Sequence, residues 1–441
     1  MLLETVPEQF NAQQGALQSA QLWLQQLQQN ALHQLQREGL PTSQTEDWKY
    51  TSLDALLSKN YVSTTQVSAS APTITTPFLL SSVAGPRLVF INGYFSARYS
   101  SIEHLPPGIV LKPLSVALQT ESATLQQHLG RIAKQPILSL LPLNTALFHE
   151  GYYLQMAANI QCEMPIQICH VNTEQPQALA IYPRHLIVVG ANSRVEVIEH
   201  YFSCGDSHNL ICPVTEVMLE AGAQLTHYPI QQEVQTTYHI NSIYVQQERD
   251  SQFTSHAINL GARLSRHDIN VQLAAPGASC FLNGLYMMQK RQHHDTHTRI
   301  DHLVPHGTSR EDYKGILDDF ARAVFNGKVI VHPGAMQTDA EQSNKNLLLS
   351  NEAEVDTKPQ LEIFADDVKC AHGATVGQLD EEALFFLRSR GIDQATARDL
   401  LVYGFAGSVI DNIQHVAIRE VLKQAVLAGL MRGTRIEEIL R

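Results

Sequence analysis

Residues 190–197 read Gly-Ala-Asn-Ser-Arg-Val-Glu-Val, and residues 222–227 read Gly-Ala-Gln-Leu-Thr-His. In each, a turn tripeptide leads into alternating apolar and polar residues, the pattern of a strand with one buried face. Related turns stand at Gly277-Ala278-Ser279, Gly307-Thr308-Ser309 and Gly334-Ala335-Met336. Successive glycines are 32, 55, 30 and 27 residues apart, 55 is close to twice 27, and Arg249-Asp250-Ser251 supplies a turn in the gap. A period of 27–32 residues with strand–turn–strand content points to a solenoid. One coil cannot bury its apolar side alone, whereas stacked coils enclose a continuous interior column. A parallel β-helix over residues 87–378 fits best; a β-sandwich or jelly roll is the alternative.

The flanks have a different texture. Leu17, Ala20, Leu24, Leu27, Ala31 and Leu35 recur at helical spacing, so residues 8–38 are predicted as one amphipathic helix packed on its own protein, stopped by Gly39 and Pro41. Residues 57–86 are rich in Ser, Thr and Pro and read as a linker. Within the β region, 111–140 has room for a helix. From Asp380 onward helical patterning returns: Asp380 and Asp393 are N-cap candidates, Gly391 is a stop, and Val416, Val421, Leu422, Val426, Leu427 and Leu430 give a third helix its apolar face. The organisation expected is an N-terminal helical region and linker (1–86), a β-helix core (87–378) and a C-terminal helical region (379–441) that closes the open end of the solenoid.

Composition narrows the function. The net charge is −12 over 441 residues and the pI is near 5.9, which disfavours a general binder of nucleic acid or anionic membrane. No apolar run is long enough to span a bilayer, and MLLETVPEQF lacks the pattern of a secretory signal. Cys162, Cys169, Cys204, Cys212, Cys280 and Cys370 are scattered, as in a reducing, cytoplasmic setting. There is no G-x-x-x-x-G-K-[ST], no G-x-G-x-x-G after a strand, no C-x-x-C, no H-E-x-x-H and no G-x-S-x-G. The chain therefore has no recognisable means of holding ATP or a dinucleotide by itself.

Three constellations carry possible chemistry. His293, Asp295 and His297 share one face of a strand, with Asp301 and His302 following; they suit a metal, or else a polar ladder bonded to neighbouring coils. Cys370 and His372 share another strand face; a thiolate and an imidazole suit iron or a nucleophile–base pair, the ordinary alternative being a buried thiol and a hydrogen-bonded ring. The doublets Asp318-Asp319 and Asp366-Asp367 would suit acid–base cleavage of a polysaccharide, or are simply turn residues.

Residues 366–392, DDVKCAHGATVGQLDEEALFFLRSRGI, resemble the C-terminal signature of the SufB/SufD family of the Suf iron–sulfur cluster assembly system. Glu46-Asp47-Trp48-Lys49-Tyr50-Thr51, Phe90-Ile91-Asn92-Gly93, Leu143-Asn144-Thr145-Ala146 with Gly151, Pro165-Ile166, His294-x-Thr296-x-Thr298, His302, Ser309 and Tyr313-Lys314-Gly315 resemble other family segments in the same order. The match spans nearly the whole chain. The 347–358 stretch LLLSNEAEVDTK lacks the cysteine that SufB carries there, Lys369-Cys370-Ala371-His372 stands where SufB has an acidic residue and a histidine, and SufB's longer cysteine-bearing N-terminal region is absent; all three departures favour the SufD branch.

The resemblance implies a right-handed parallel β-helix between helical regions. It implies a non-catalytic scaffold subunit that pairs with SufB through the β-helices and binds the ATPase SufC through its C-terminal helical region. No tightly bound cofactor is expected; a transient iron–sulfur cluster or iron would lie at the SufB interface. His372 matches the histidine proposed to act there as an iron ligand, and Cys370 is its neighbour. No flavin motif is visible, and an unpaired β-helix edge suggests a homodimer when the chain is isolated. Two readings from other classes are a β-helix polysaccharide lyase or hydrolase and a metal hydrolase using 293–302.

Overall fold

The computed structural model describes residues 2–16, 21–63, 80–103, 105–133 and 139–430. Its centre is a parallel solenoid of about eight turns, built from two facing sheets. The first runs from Tyr152–Met156 to Glu354–Ile363 and the second from Ile166–Thr173 to Lys369–Gly377. Every pairing between successive coils in these runs is parallel, which excludes the sandwich alternative. In the second sheet the residues in register are Arg194, Gln224, Gln252, Ser279, Thr308, Asp339 and Lys369, so the coil length varies only between 27 and 31 residues.

A ladder of left-handed backbone positions turns the chain into the second sheet. It comprises Asn192, Gly222, Asp250, Gly277, His306, Gln337 and Asp367, with φ between 52° and 78°. Adjacent rungs are linked along the stack: the Asn192 N–H donates to the Ala221 carbonyl, Gly222 to Arg249 and Asp250 to Pro276. Asp250 is thus the turn that fills the 55-residue gap. Gly334 and Gly307 are displaced from the rung, which Gln337 and His306 occupy. Asn and Asp tolerate this conformation through local side-chain hydrogen bonding. At Gly222 a Cβ would lie 2.4 Å from Asn192 Oδ1, so a side chain there would require the Asn192 amide to turn away.

The two ends of the stack differ. At the N-terminal end, Ile109–Pro113 runs antiparallel to Tyr152–Met156, and Tyr94–Phe95 folds back antiparallel on Arg87–Ile91. At the other end, Glu354–Ile363 and Lys369–Gly377 finish their sheets with one edge unpaired among the described residues.

Helices cover the flanks. The predicted helix over 8–38 is two helices, Leu2–Ala16 and Leu22–Glu38; Leu17 and Ala20 lie outside the described residues. Leu35, Trp48 and Leu56 pack with Tyr182, Ile240 and Leu264 on the outer face of the first sheet. The 111–140 stretch holds two short helices, Leu114–Thr120 and Ser122–His128, and Leu141–Leu147 forms another. Most of the predicted linker, 64–79, lies outside the described residues, but Leu80 and Val83 are buried.

The C-terminal helices form as the capping residues indicate. Asp380 accepts from the N–H groups of Glu382 and Ala383, and Asp393 from that of Thr396. Their placement corrects the expectation that they close the solenoid. Gln394–Asp411 and Val416–Leu430 pack Val402, Ala406, Ile410, Ile418, Leu422 and Val426 against Ile198, Ile230, Ile258, Leu285 and Ile316 on the outer flank of the second sheet. Those apolar side chains recur coil after coil and offer a stripe that the helical faces match. Lys314 anchors the layer, its Nζ donating to the Phe405 carbonyl at 3.0 Å. Among the described residues, the final coil is left open.

Candidate functional site at the open coil

The last strand of the second sheet, Lys369–Gly377, carries both residues of the Cys–His constellation. Strand alternation puts them on the inward face, in register with Ala340 and Gln342 of the preceding coil. Cys370 is half-buried against the apolar column, and burial raises its thiol above the usual range. His372 is exposed, because no further coil lies above it among the described residues. Beneath it in register come Gln342 and then Glu311, both buried, with the Gln342 amide donating to the Glu311 carboxylate. Desolvation pushes the Glu311 carboxyl up to about 7. A polar column thus leads from the interior to the exposed imidazole.

The two open edges are not equivalent. In Glu354–Ile363 the N–H groups of Glu354 and the following Phe364 point inward, to Ala321 and Val331, so the odd-numbered nitrogens face outward. Pro359 occupies one of those positions and removes a donor from that edge. In Lys369–Gly377 the Lys369 N–H points inward to Thr338, so the even-numbered positions, including Cys370, His372 and Ala374, turn their N–H groups to the open side. No proline interrupts that strand. Ile363, Phe364 and Val376 add an apolar rim, 43%, 59% and 50% exposed.

The other constellations are structural. Asp295 lies between its neighbours as strand geometry requires, but its partners are a guanidinium and a hydroxyl. Arg266 donates to Asp295 at 2.7 Å, Thr51 at 2.5 Å, and His297 lies 3.0 Å away. Thr51 also meets His293 at 3.0 Å, and Arg266 stacks 3.8 Å from the Trp48 ring. The group clamps the 46–51 segment to the solenoid. His302 faces the interior and meets Ser309 at 2.9 Å. The acidic doublets do not converge. Asp318 pairs with Arg398 at 2.8 Å and Asp319 is a left-handed corner residue of the first sheet, while Asp367 is a rung of the opposite ladder.

Sequence reasoning missed a second polar feature. The interior column is apolar on one side only, along Ile187, Val189, Val195, Val197, Ile269 and Val271. Along the other side runs a buried seam that includes His170, His185, Glu199, His227, His239, His267 and His294. Glu199 is its hub, accepting from Tyr201 at 2.5 Å, Tyr152 at 3.1 Å and His227 at 3.0 Å. These residues occupy inward positions of their strands, where alternation normally places apolar groups.

Residues 170–405 match the family model of the SUF system FeS cluster assembly SufBD core domain, and residues 5–168 match the SufBD protein N-terminal region. The chain is 34% identical over 399 residues to a SufBD family iron–sulfur cluster assembly protein of Synechocystis, covering 88% of this chain and 87% of that one. It is 33% identical over 404 residues to the iron–sulfur cluster assembly protein SufD of Escherichia coli, covering 91% of each, and 29% identical over 294 residues to SufD of Bacillus subtilis, covering 65% and 66%. No described helix is long and apolar enough to cross a membrane. Solenoid, flanking helices and matches across both regions lead to one conclusion: the chain belongs to the SufBD family of iron–sulfur cluster assembly proteins.

Proposed function

We propose that this chain is a non-catalytic scaffold subunit that pairs with SufB through the open edge of Lys369–Gly377. The observation that carries the reading is that edge itself. It is a strand unpaired on one side among the described residues, with outward N–H groups and an apolar rim, and it bears Cys370 and His372 on its inward face. Strand addition would satisfy the backbone groups and enclose both side chains between two stacks. An imidazole nitrogen and a thiolate are borderline and soft donors that suit iron, so a nascent cluster or iron would be held at this interface as cargo. His372 is assigned as the iron ligand and Cys370 as the weaker candidate.

The ATPase SufC is assigned to the C-terminal helical region. Phe385 and Phe386 on Glu381–Ser389 are 72% and 55% exposed, an apolar surface that the described residues leave uncovered. The missing phosphate-binding loop fits an ATPase located in the partner. The same open edge would serve a homodimer when the chain is isolated.

The test is His372→Ala in the co-expressed complex. Cluster formed on the purified complex is expected to fall at least ~10-fold, the scale for losing support at a metal site, with all subunits recovered. Undiminished cluster formation in an intact complex would remove His372 from the mechanism.

A further inference from the structure

The polar seam contains a set of donors remote from the open edge. His170, His185 and Glu199 bring one ligand atom each to within 4.8 Å of one another, and all three are buried. We propose that they bind one divalent transition-metal ion of the zinc(II) or iron(II) class inside the N-terminal coils of the solenoid.

The His170 ring is held flat between Phe90 and Tyr201, at centroid distances of 5.0 and 4.4 Å, which fixes its plane. Its Nε2 is buried and has no hydrogen-bond partner. A buried lone pair without a donor is costly, and coordination would satisfy it. Glu199 is oriented by Tyr152, Tyr201 and His227, the kind of outer-shell support that ligating carboxylates receive. His185 Nε2 lies 3.5 Å from Glu199 and 3.1 Å from the Tyr201 hydroxyl, so His185, Glu199 and Tyr201 surround one small volume. Two imidazoles and one carboxylate form a borderline nitrogen–oxygen set that suits zinc(II) or iron(II).

The site is separate from the proposed cluster interface. Glu199 and His372 sit on strands six coils apart, roughly 29 Å at the usual ~4.8 Å strand spacing. Enclosure implies that the ion enters while the coils assemble and exchanges slowly afterwards. Its role would be to tie the first two coils and both sheets together.

The experiment is elemental analysis of the full chain, purified from cells grown with added zinc or iron and washed briefly with chelator. About one equivalent is expected in the wild type and in His372→Ala, falling ~10-fold in His170→Phe, where the aromatic stack is kept and the ligand is lost. A folded wild type with less than ~0.1 equivalent, or a His170→Phe variant with undiminished metal, would overturn the proposal. Because His372→Ala leaves this site intact, failure here and failure of the edge assignment are distinguishable.

Discussion

The midpoint of urea unfolding is expected to be nearly constant above pH 7 and to fall steeply from pH 6.5 toward pH 4. The cause is the buried histidine seam and its outlying members. Desolvation lowers His200, His256 and His302 to about 4, and His267 and His294 to about 3. In the unfolded chain each titrates near 6.5. Between 6.5 and 4 the unfolded state therefore binds protons that the folded state refuses, and stability falls with pH. A shift of about 2.5 units corresponds to ~3 kcal/mol per group, so even two or three such groups rival the ~5–15 kcal/mol that holds a typical domain together. Glu311 acts in the opposite sense: raised to about 7, it stabilises the fold as pH falls from 7 through the unfolded carboxylate value near 4.5, and Glu150 adds to this. Two carboxyls do not offset five imidazoles. A midpoint unchanged between pH 7.5 and pH 5 would show that the seam is solvated or already charged.

The second large effect is expected at Arg266. The residue is 2% exposed, and its guanidinium donates to Asp268, Asp295 and the Asp47 carbonyl and stacks on Trp48. Arg266→Ala would leave two buried carboxylates without their cation. Breaking a buried pair in this way costs ~3–5 kcal/mol. Because the partners come from the N-terminal segment and from two coils, the 46–57 segment should detach before the solenoid unfolds. Limited proteolysis reads this out: early cleavage in that segment is expected in Arg266→Ala and not in the wild type. Equal protection in both would mean that the apolar contacts of Trp48, Leu53 and Leu56 hold the segment without the ion network.

How much of this was legible in the sequence varies with the range of the interaction. The coil period was legible because it is written in local turns, and Asp250 could be placed in the ladder without a glycine. The register at Gly334 was not, because Gln337 adopts the left-handed position instead. Asp380 and Asp393 were readable as caps, since capping depends on the next three residues. The position of the helices they cap was not, since it depends on apolar groups such as Ile198 and Ile316, which lie 118 residues apart and are contributed by different coils. The His293–Asp295–His297 group looked like a metal site because its partners, Thr51 and Arg266, come from 242 and 29 residues away. The histidine seam was hidden for another reason. Polar residues at inward positions break the alternation by which inward positions are recognised.

The central claim is that the open second-sheet edge receives SufB while the helical flank serves SufC. The most direct test is affinity purification of the tagged chain co-expressed with the SufB and SufC candidates of its genome, in wild-type and Ala374→Pro forms. Ala374 turns its N–H to the open side, so proline there removes an outward donor without breaking the chain's own ladder. Wild type recovering both partners, with Ala374→Pro keeping SufC and losing SufB, is the expected result. Undiminished SufB on Ala374→Pro, or a folded wild type that recovers neither partner, would contradict the account.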